Sequence, residues 1–173
     1  MHILGDIGNS ETKVYLVNSK NKIVKNVNFQ SKKINDKILN QKFKFLIKDY
    51  NSIKKILFCS VVPKSFNLIK KFLSKKIKKK CYEVKDLKLK SLIDIKVNFN
   101  QVGSDRLTNA VSVLNQNDNF IILDFGTATT FDVVIKKTYK GGIIAPGIKI
   151  SLNTLSDKVF KEILIPGAIT PPL

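Results

Sequence analysis

The sequence predicts an α/β fold, and three observations predict it. Segments of strand character alternate with segments whose apolar residues recur at helical spacing. An apolar strand pair near the N-terminus returns as a second copy late in the chain. Finally, 43% of the 173 residues are hydrophobic, enough for a real core in one large domain or two small ones.

Taken in chain order, His2 to Gly5 and Val14 to Val17 are two apolar runs around a short polar connection, the pattern of a strand, turn, strand unit. Ile34 to Asp49 carries apolar residues at helical spacing with lysines opposite, Ile56 to Val62 reads as a strand, and Ser65 to Phe72 as a second helix. Ser104 to Leu114 is a further helix with Ser104 as its expected N-cap, and Phe120 to Leu123 is a strand. Gly141 to Ser151 (GGIIAPGIKIS) reads as a strand entering a tight turn before a helix. Such a turn could present backbone amides to a ligand or simply connect two elements.

The strongest organising feature is the repeat. ILGDIGNSETKVYLV at Ile3 to Val17 and IILDFGTATTFDVVI at Ile121 to Ile135 align without a gap, placing Asp6 on Asp124, Gly8 on Gly126 and Thr12 on Thr130. Two copies imply two related subdomains, 1–118 and 119–173, whose facing turns frame a cleft.

The net charge of +18 raises nucleic-acid or membrane-surface binding as a possibility. The lysines are nevertheless spread over the first hundred residues, and the dense run at Lys75 to Lys80 has no interleaved aromatics of the kind a single-strand binder needs. Lys, Asn, Ile and Phe, all abundant here, share A+T-rich codons, so genome composition accounts for the excess and argues against a nucleic-acid partner. No run of eighteen uncharged apolar residues exists, and the N-terminus lacks a basic flank and apolar core, so a cytoplasmic location without membrane insertion is expected. Cys59 and Cys81 fit no metal or CxxC spacing and are expected to be ordinary reduced thiols. His2 is the only histidine, which excludes histidine-based triads and multi-histidine metal sites.

The repeated turns supply what phosphoryl transfer needs, namely positioned phosphates, cations and a nucleophile held in line. Gly8 and Gly126 remove side chains where a phosphate chain could approach backbone N–H groups, and Asn9, Ser10, Thr12, Thr127 and Thr129 offer polar groups around that path. Asp6 and Asp124 end strands where a carboxylate can hold hydrated magnesium or an alkali cation. A single DxGN turn is common for geometric reasons alone; its recurrence marks a site. Between the copies, Asp105 in VGSDRLTNAV falls in the first turn of a helix, where the dipole favours an ionised carboxylate. It either accepts a proton from an attacking hydroxyl or only caps its helix.

Five motifs now stand in order: DIGNSETK at Asp6 to Lys13, SVVP at Ser60 to Pro63, GSDR at Gly103 to Arg106, DFGTATTFD at Asp124 to Asp132 and GGIIAPG at Gly141 to Gly147. Together they resemble the successive motifs of the type III pantothenate kinase family, over Met1 to about Leu155. The resemblance implies the actin/hexokinase/Hsp70-like ATPase fold, two duplicated ribonuclease-H-like halves of which the second is incomplete here, and ATP-dependent phosphorylation of pantothenate at the start of coenzyme A synthesis. It makes Asp6, Ile7, Gly8, Asn9, Ser10, Glu11, Thr12 and Lys13 the first ATP phosphate turn, with Thr127 as a second ATP contact. It makes Asp105 the proton acceptor, places Gly103, Ser104, Asp105 and Arg106 at the pantothenate, and makes Asp124 the ligand of a monovalent cation, potassium or ammonium. Magnesium with ATP and a homodimer are implied as well.

The chain departs from the family pattern in three places. Lys96 stands where the family carries a substrate-touching tyrosine, with Phe99 in place of a proline. Ser104 replaces a common alanine. The chain ends in IPGAITPPL where family members continue, so part of the second sheet's apolar surface is expected to lie uncovered. Two alternatives follow: a truncated, catalytically impaired nucleotide-binding homologue, and a basic nucleic-acid-binding module.

Overall fold

A computed structural model of the chain describes residues 1–47, 50–114 and 118–162. Strands β1 (His2–Ile7), β2 (Glu11–Val17) and β3 (Ile23–Gln30) form an antiparallel meander. β4 (Lys55–Ser60) and β5 (Cys81–Glu83) extend the sheet in parallel beyond β1, giving the order β3-β2-β1-β4-β5. Helix α1 (Asp36–Ile47) connects β3 to β4, and α2 (Pro63–Ile77) connects β4 to β5. Asp49, the expected end of α1, lies outside the described residues.

Strand alternation decides the first core. Ile3, Ile7, Val14, Leu16, Ile56 and Phe58 share one face of the sheet and pack against Leu39 and Phe43 of α1 and Phe66, Ile69, Phe72 and Leu73 of α2. Gly5 sits in this face because a Cβ there would stand 2.1 Å from the Phe58 ring. α2 starts with Pro63 in its first turn and ends at Lys78, whose φ of 54° is left-handed. The dense lysine run is therefore largely a helix terminus: Lys75 and Lys76 lie in the last turn, where cations suit the dipole, and Lys79 donates to the Ile53 carbonyl.

The second sheet contains β6 (Asp94–Ile95), β7 (Asn119–Phe125), β8 (Ala128–Ile135) and β9 (Thr138–Pro146) in the order β6-β9-β8-β7. α4 (Ile148–Glu162) follows β9, as the Gly141 to Ser151 pattern predicts. Helix α3 (Ser104–Ser112) packs against both β4 and β8, so it bridges the two sheets. Its Leu107 and Ala110 are fully buried with Val84, Leu89, Ile93, Val102, Val134 and Tyr139 in a second core. β6 and α3 precede residue 119 yet pack with the second sheet, so this packing unit begins earlier than the repeat suggests.

Strand register refines the repeat. Ile7 faces Thr12, whereas its counterpart Phe125 faces Thr129. The second turn is one residue tighter, with Gly126 N–H reaching the Ala128 carbonyl at 3.0 Å where Gly8 N–H reaches that of Glu11 at 3.0 Å. The gap-free alignment thus holds through the glycines and slips after them: Thr12 corresponds to Thr129, and both are buried. The duplication also shows what the second sheet exposes. Ile121 matches the fully buried Ile3 yet is 69% exposed, and Leu123, Phe125 and Ile143 on the same face are exposed too. Among the described residues no strand pairs with the outer edge of β7, whereas β1 carries β4 there. No helix among the described residues is long and apolar enough to cross a membrane.

Candidate functional site

The two hairpins meet tip to tip. Ser10 Oγ lies 2.9 Å from Thr127 Oγ1, and beneath them is a cavity of about 350 Å³ lined by Asp6, Gly8, Asn9, Ser10, Glu11, Lys13, Val61, Asp105, Asp124, Gly126, Thr127 and Thr130. The turn after β9 supports the second hairpin from behind. Gly147 N–H donates to the Thr127 carbonyl at 3.2 Å, and a Cβ at Gly147 would come within 2.4 Å of that oxygen. This backbone amide is therefore spent on holding Thr127.

α3 carries Asp105 to the same cavity. Gly103 is the N-cap and Ser104 the buried first residue of the helix, which corrects the expected capping role of Ser104. A Cβ at Gly103 would lie 2.3 Å from Asp105 Oδ1, so a larger residue there would displace that carboxylate from its present position, in which it accepts the Arg106 backbone N–H at 2.8 Å. Further along α3, Asn109 Nδ2 donates to Asp124 Oδ2 at 3.2 Å. Asp6, Asp105 and Asp124 also line an adjoining hollow of about 350 Å³ with Tyr15, Cys59, Thr108 and Asn109. The three carboxylates thus stand where two hollows join.

Dehydration at this junction raises the Asp6 pKa; Lys13 pulls it down, while Asp105, Asp124 and Glu11 push it further up. Facing carboxylates with oxygen-only donors suit a hard cation. Among the described residues no three acidic, histidine or cysteine side chains close into a metal-ligand cluster, so a cation here needs backbone carbonyls, water or phosphate oxygens to complete its shell.

The same shift makes a stability prediction. A carboxyl group with a raised folded-state pKa favours folding at low pH and loses that contribution as pH rises through the raised value. Ionised Asp6 therefore costs stability at neutral pH. Asp6→Asn is expected to raise Tm at pH 7, by only about 1 °C because the side chain is solvent-screened, and to give no gain near pH 3. Thermal melts at both pH values check this; an equal gain at both would remove the carboxylate as its cause.

Arg106 turns away from solvent. Its Nε donates to Asp132 Oδ1 at 2.8 Å, its Nη2 lies 2.6 Å from the same oxygen, and the Tyr139 hydroxyl donates to it at 2.5 Å. Asp132 is fully buried. Burial works against the charged guanidinium, but the hydrogen bond and charge of Asp132 hold its pKa above the usual value. Burial raises the Tyr139 phenol, and Asp132 raises it further.

The structure brings together Asp6, Gly8, Asn9, Ser10, Glu11, Lys13, Asp105, Asp124 and Thr127. The side chains of Ile7 and Thr12 face the first core, where Thr12 Oγ1 bonds Ser31 Oγ at 2.8 Å, so only their backbone faces the turn. Gly103 and Ser104 line a separate hollow of about 550 Å³ with Pro63, Lys70, Glu83 and Lys85, which meets the cleft at Val61. Lys96 pairs with Asp94 at 2.8 Å on the surface, and Lys85 and Lys90 lie over the Phe99 ring. Burial pushes the Cys59 and Cys81 thiols up to about 12, so neither is a thiolate at neutral pH. Sequence reasoning missed Asn109, Asp132 and Tyr139. Only Asp132 leaves a signal, as a lone acid within an apolar strand run.

Fold and cleft define a member of the duplicated ribonuclease-H-like class, the architecture of actin, hexokinase and Hsp70. A solved structure from Porphyromonas gingivalis described as an N-acetylglucosamine kinase shares this fold, with a TM-score of 0.57, 11% identity, and coverage of 96% of this chain and 59% of that one. The family model for type III pantothenate kinase matches residues 2–162. A type III pantothenate kinase of Pelagibacter ubique (strain HTCC1062) is 62% identical over 158 residues, 91% of this chain and 64% of that protein. One of Sulfurihydrogenibium sp. (strain YO3AOP1) is 37% identical over 168 residues, 90% of this chain and 64% of that protein. The chain belongs to the type III pantothenate kinase family, and it spans about two thirds of the length of these relatives.

Proposed function

We propose that this chain is an ATP-dependent kinase that phosphorylates pantothenate to 4′-phosphopantothenate, the entry step of coenzyme A synthesis. The convergence of Asp6, Asp105 and Asp124 on one hollow beneath two touching hairpin turns carries this reading. The turn from Asp6 to Lys13 lies along the ATP phosphates, with Thr127 opposite, and Lys13 brings positive charge to them. The acceptor hydroxyl oxygen bonds to the γ-phosphorus as its proton passes to Asp105 and ADP leaves. Gly103 and Ser104 lie on the acceptor side, with Arg106 buried behind them against Asp132. Asp124 would hold the monovalent cation, potassium or ammonium, and magnesium accompanying ATP supplies charge neutralisation. A homodimer in the reduced cytoplasm completes the reading, and the +18 charge favours approach of anionic ATP.

Purified chain supplied with ATP, magnesium, potassium and pantothenate is expected to form phosphopantothenate, with turnover at least tenfold lower when sodium replaces potassium. ATP binding without product would favour the catalytically impaired homologue. Salt-sensitive DNA binding without nucleotide binding would favour the basic module.

A further inference from the structure

Asp132 is a fully buried carboxylate outside the cleft wall, and its contacts are lopsided. Arg106 Nε, Arg106 Nη2 and the Tyr139 hydroxyl all crowd Oδ1, while Oδ2 has no hydrogen-bond partner. Nη2 is close to Oδ1 without directing an N–H at an acceptor. Arg–carboxylate pairs frequently close as two-oxygen forks, and this one does not. It gathers Arg106 and Tyr139 on one oxygen. Gly142, facing Asp132 across β8 and β9, keeps the space open, since a Cβ there would stand 2.7 Å from Arg106 Nη2 and 2.8 Å from Asp132 Oδ1. Arg106 follows Asp105 directly, and its backbone N–H is the donor to Asp105 Oδ1.

We propose that Asp132, with Tyr139, is a positioning residue: it pins Arg106 to the second sheet and thereby sets the first turn of α3, so that Asp105 faces the cleft. The role rests on the kinase reading. Removing it mislays the acceptor side and spares the nucleotide side, because the turn from Asp6 to Lys13 belongs to the other sheet and Thr127 is held by its own contacts with Gly147 and Ser10.

Kinetics of wild type, Asp132→Asn, Arg106→Lys and the double variant, with ATP and pantothenate varied in turn, test this. Expected are a rise of about tenfold or more in KM for pantothenate in each single variant, KM for ATP within about twofold, and no further loss in the double variant, since the two side chains act as a unit. An unchanged KM for pantothenate in Asp132→Asn, or equal changes in both KM values that track a lower Tm, overturns the proposal. If wild type forms no phosphopantothenate, the kinase reading fails by itself and the clamp is read by NMR. Loss of a protected Arg106 Nε–H signal with shifted Gly103 and Asp105 amides in Asp132→Asn supports positioning, and unmoved amides overturn it.

Discussion

Asp105→Asn is expected to lower phosphopantothenate formation by roughly 10²–10⁴-fold while leaving ATP affinity within about twofold. Asparagine keeps the size of the side chain and its acceptor for the Arg106 N–H, so the first turn of α3 should keep its shape. It loses the ability to take a proton. The nucleotide side is spared because the hairpin turns are held by their own backbone bonds and by the contact of Ser10 with Thr127. A product assay with isothermal titration of ATP measures both quantities. Turnover unchanged in Asp105→Asn would leave Asp105 as a cap and take the proton acceptor elsewhere.

Gly142→Ala is expected to cost about 3 kcal/mol of stability, a Tm lower by roughly 6–12 °C. The added Cβ would stand 1.9 Å from the Phe131 carbonyl oxygen as well as against the Arg106 and Asp132 side chains. A strand carbonyl cannot swing aside as a flexible side chain does, so β8 and β9 must part locally or Arg106 must leave Asp132. Gly126→Ala is the control. Its nearest neighbour would be the Ala128 oxygen at 3.5 Å, an ordinary contact, and its Tm should stay within about 1 °C. Calorimetry of the two variants decides the point, and a Gly142→Ala protein melting with wild type would remove the crowding at β9.

Much of the fold is legible in the residues, and the failures have physical causes. β1, β2 and β4 show as apolar runs because each buries one face, and β7 shows as one although its two faces are only half-buried and exposed. β3 does not show, because it is an edge strand whose Lys25, Asn26 and Asn28 are solvent-facing and erase the alternation. α2 runs beyond its expected end at Phe72 to Ile77, since the lysines in its last turn conceal the buried Leu73 and Ile77. Within the site, the glycines and strand-end aspartates are legible as a repeated turn, whereas the one-residue difference between the turns, which pairs Thr12 with Thr129, depends on backbone bonding.

Taken alone, the sequence determines the two aspartate-glycine hairpins, the helix-start carboxylate between them and the family they belong to, because turn chemistry and strand period are local properties of neighbouring residues. Tertiary structure alone decides that Asp6, Asp105 and Asp124 share one hollow and that Arg106 turns inward. That turn depends on Asp132, a buried carboxylate 26 residues away, and nothing in the local pattern around Arg106 reports so distant a charge.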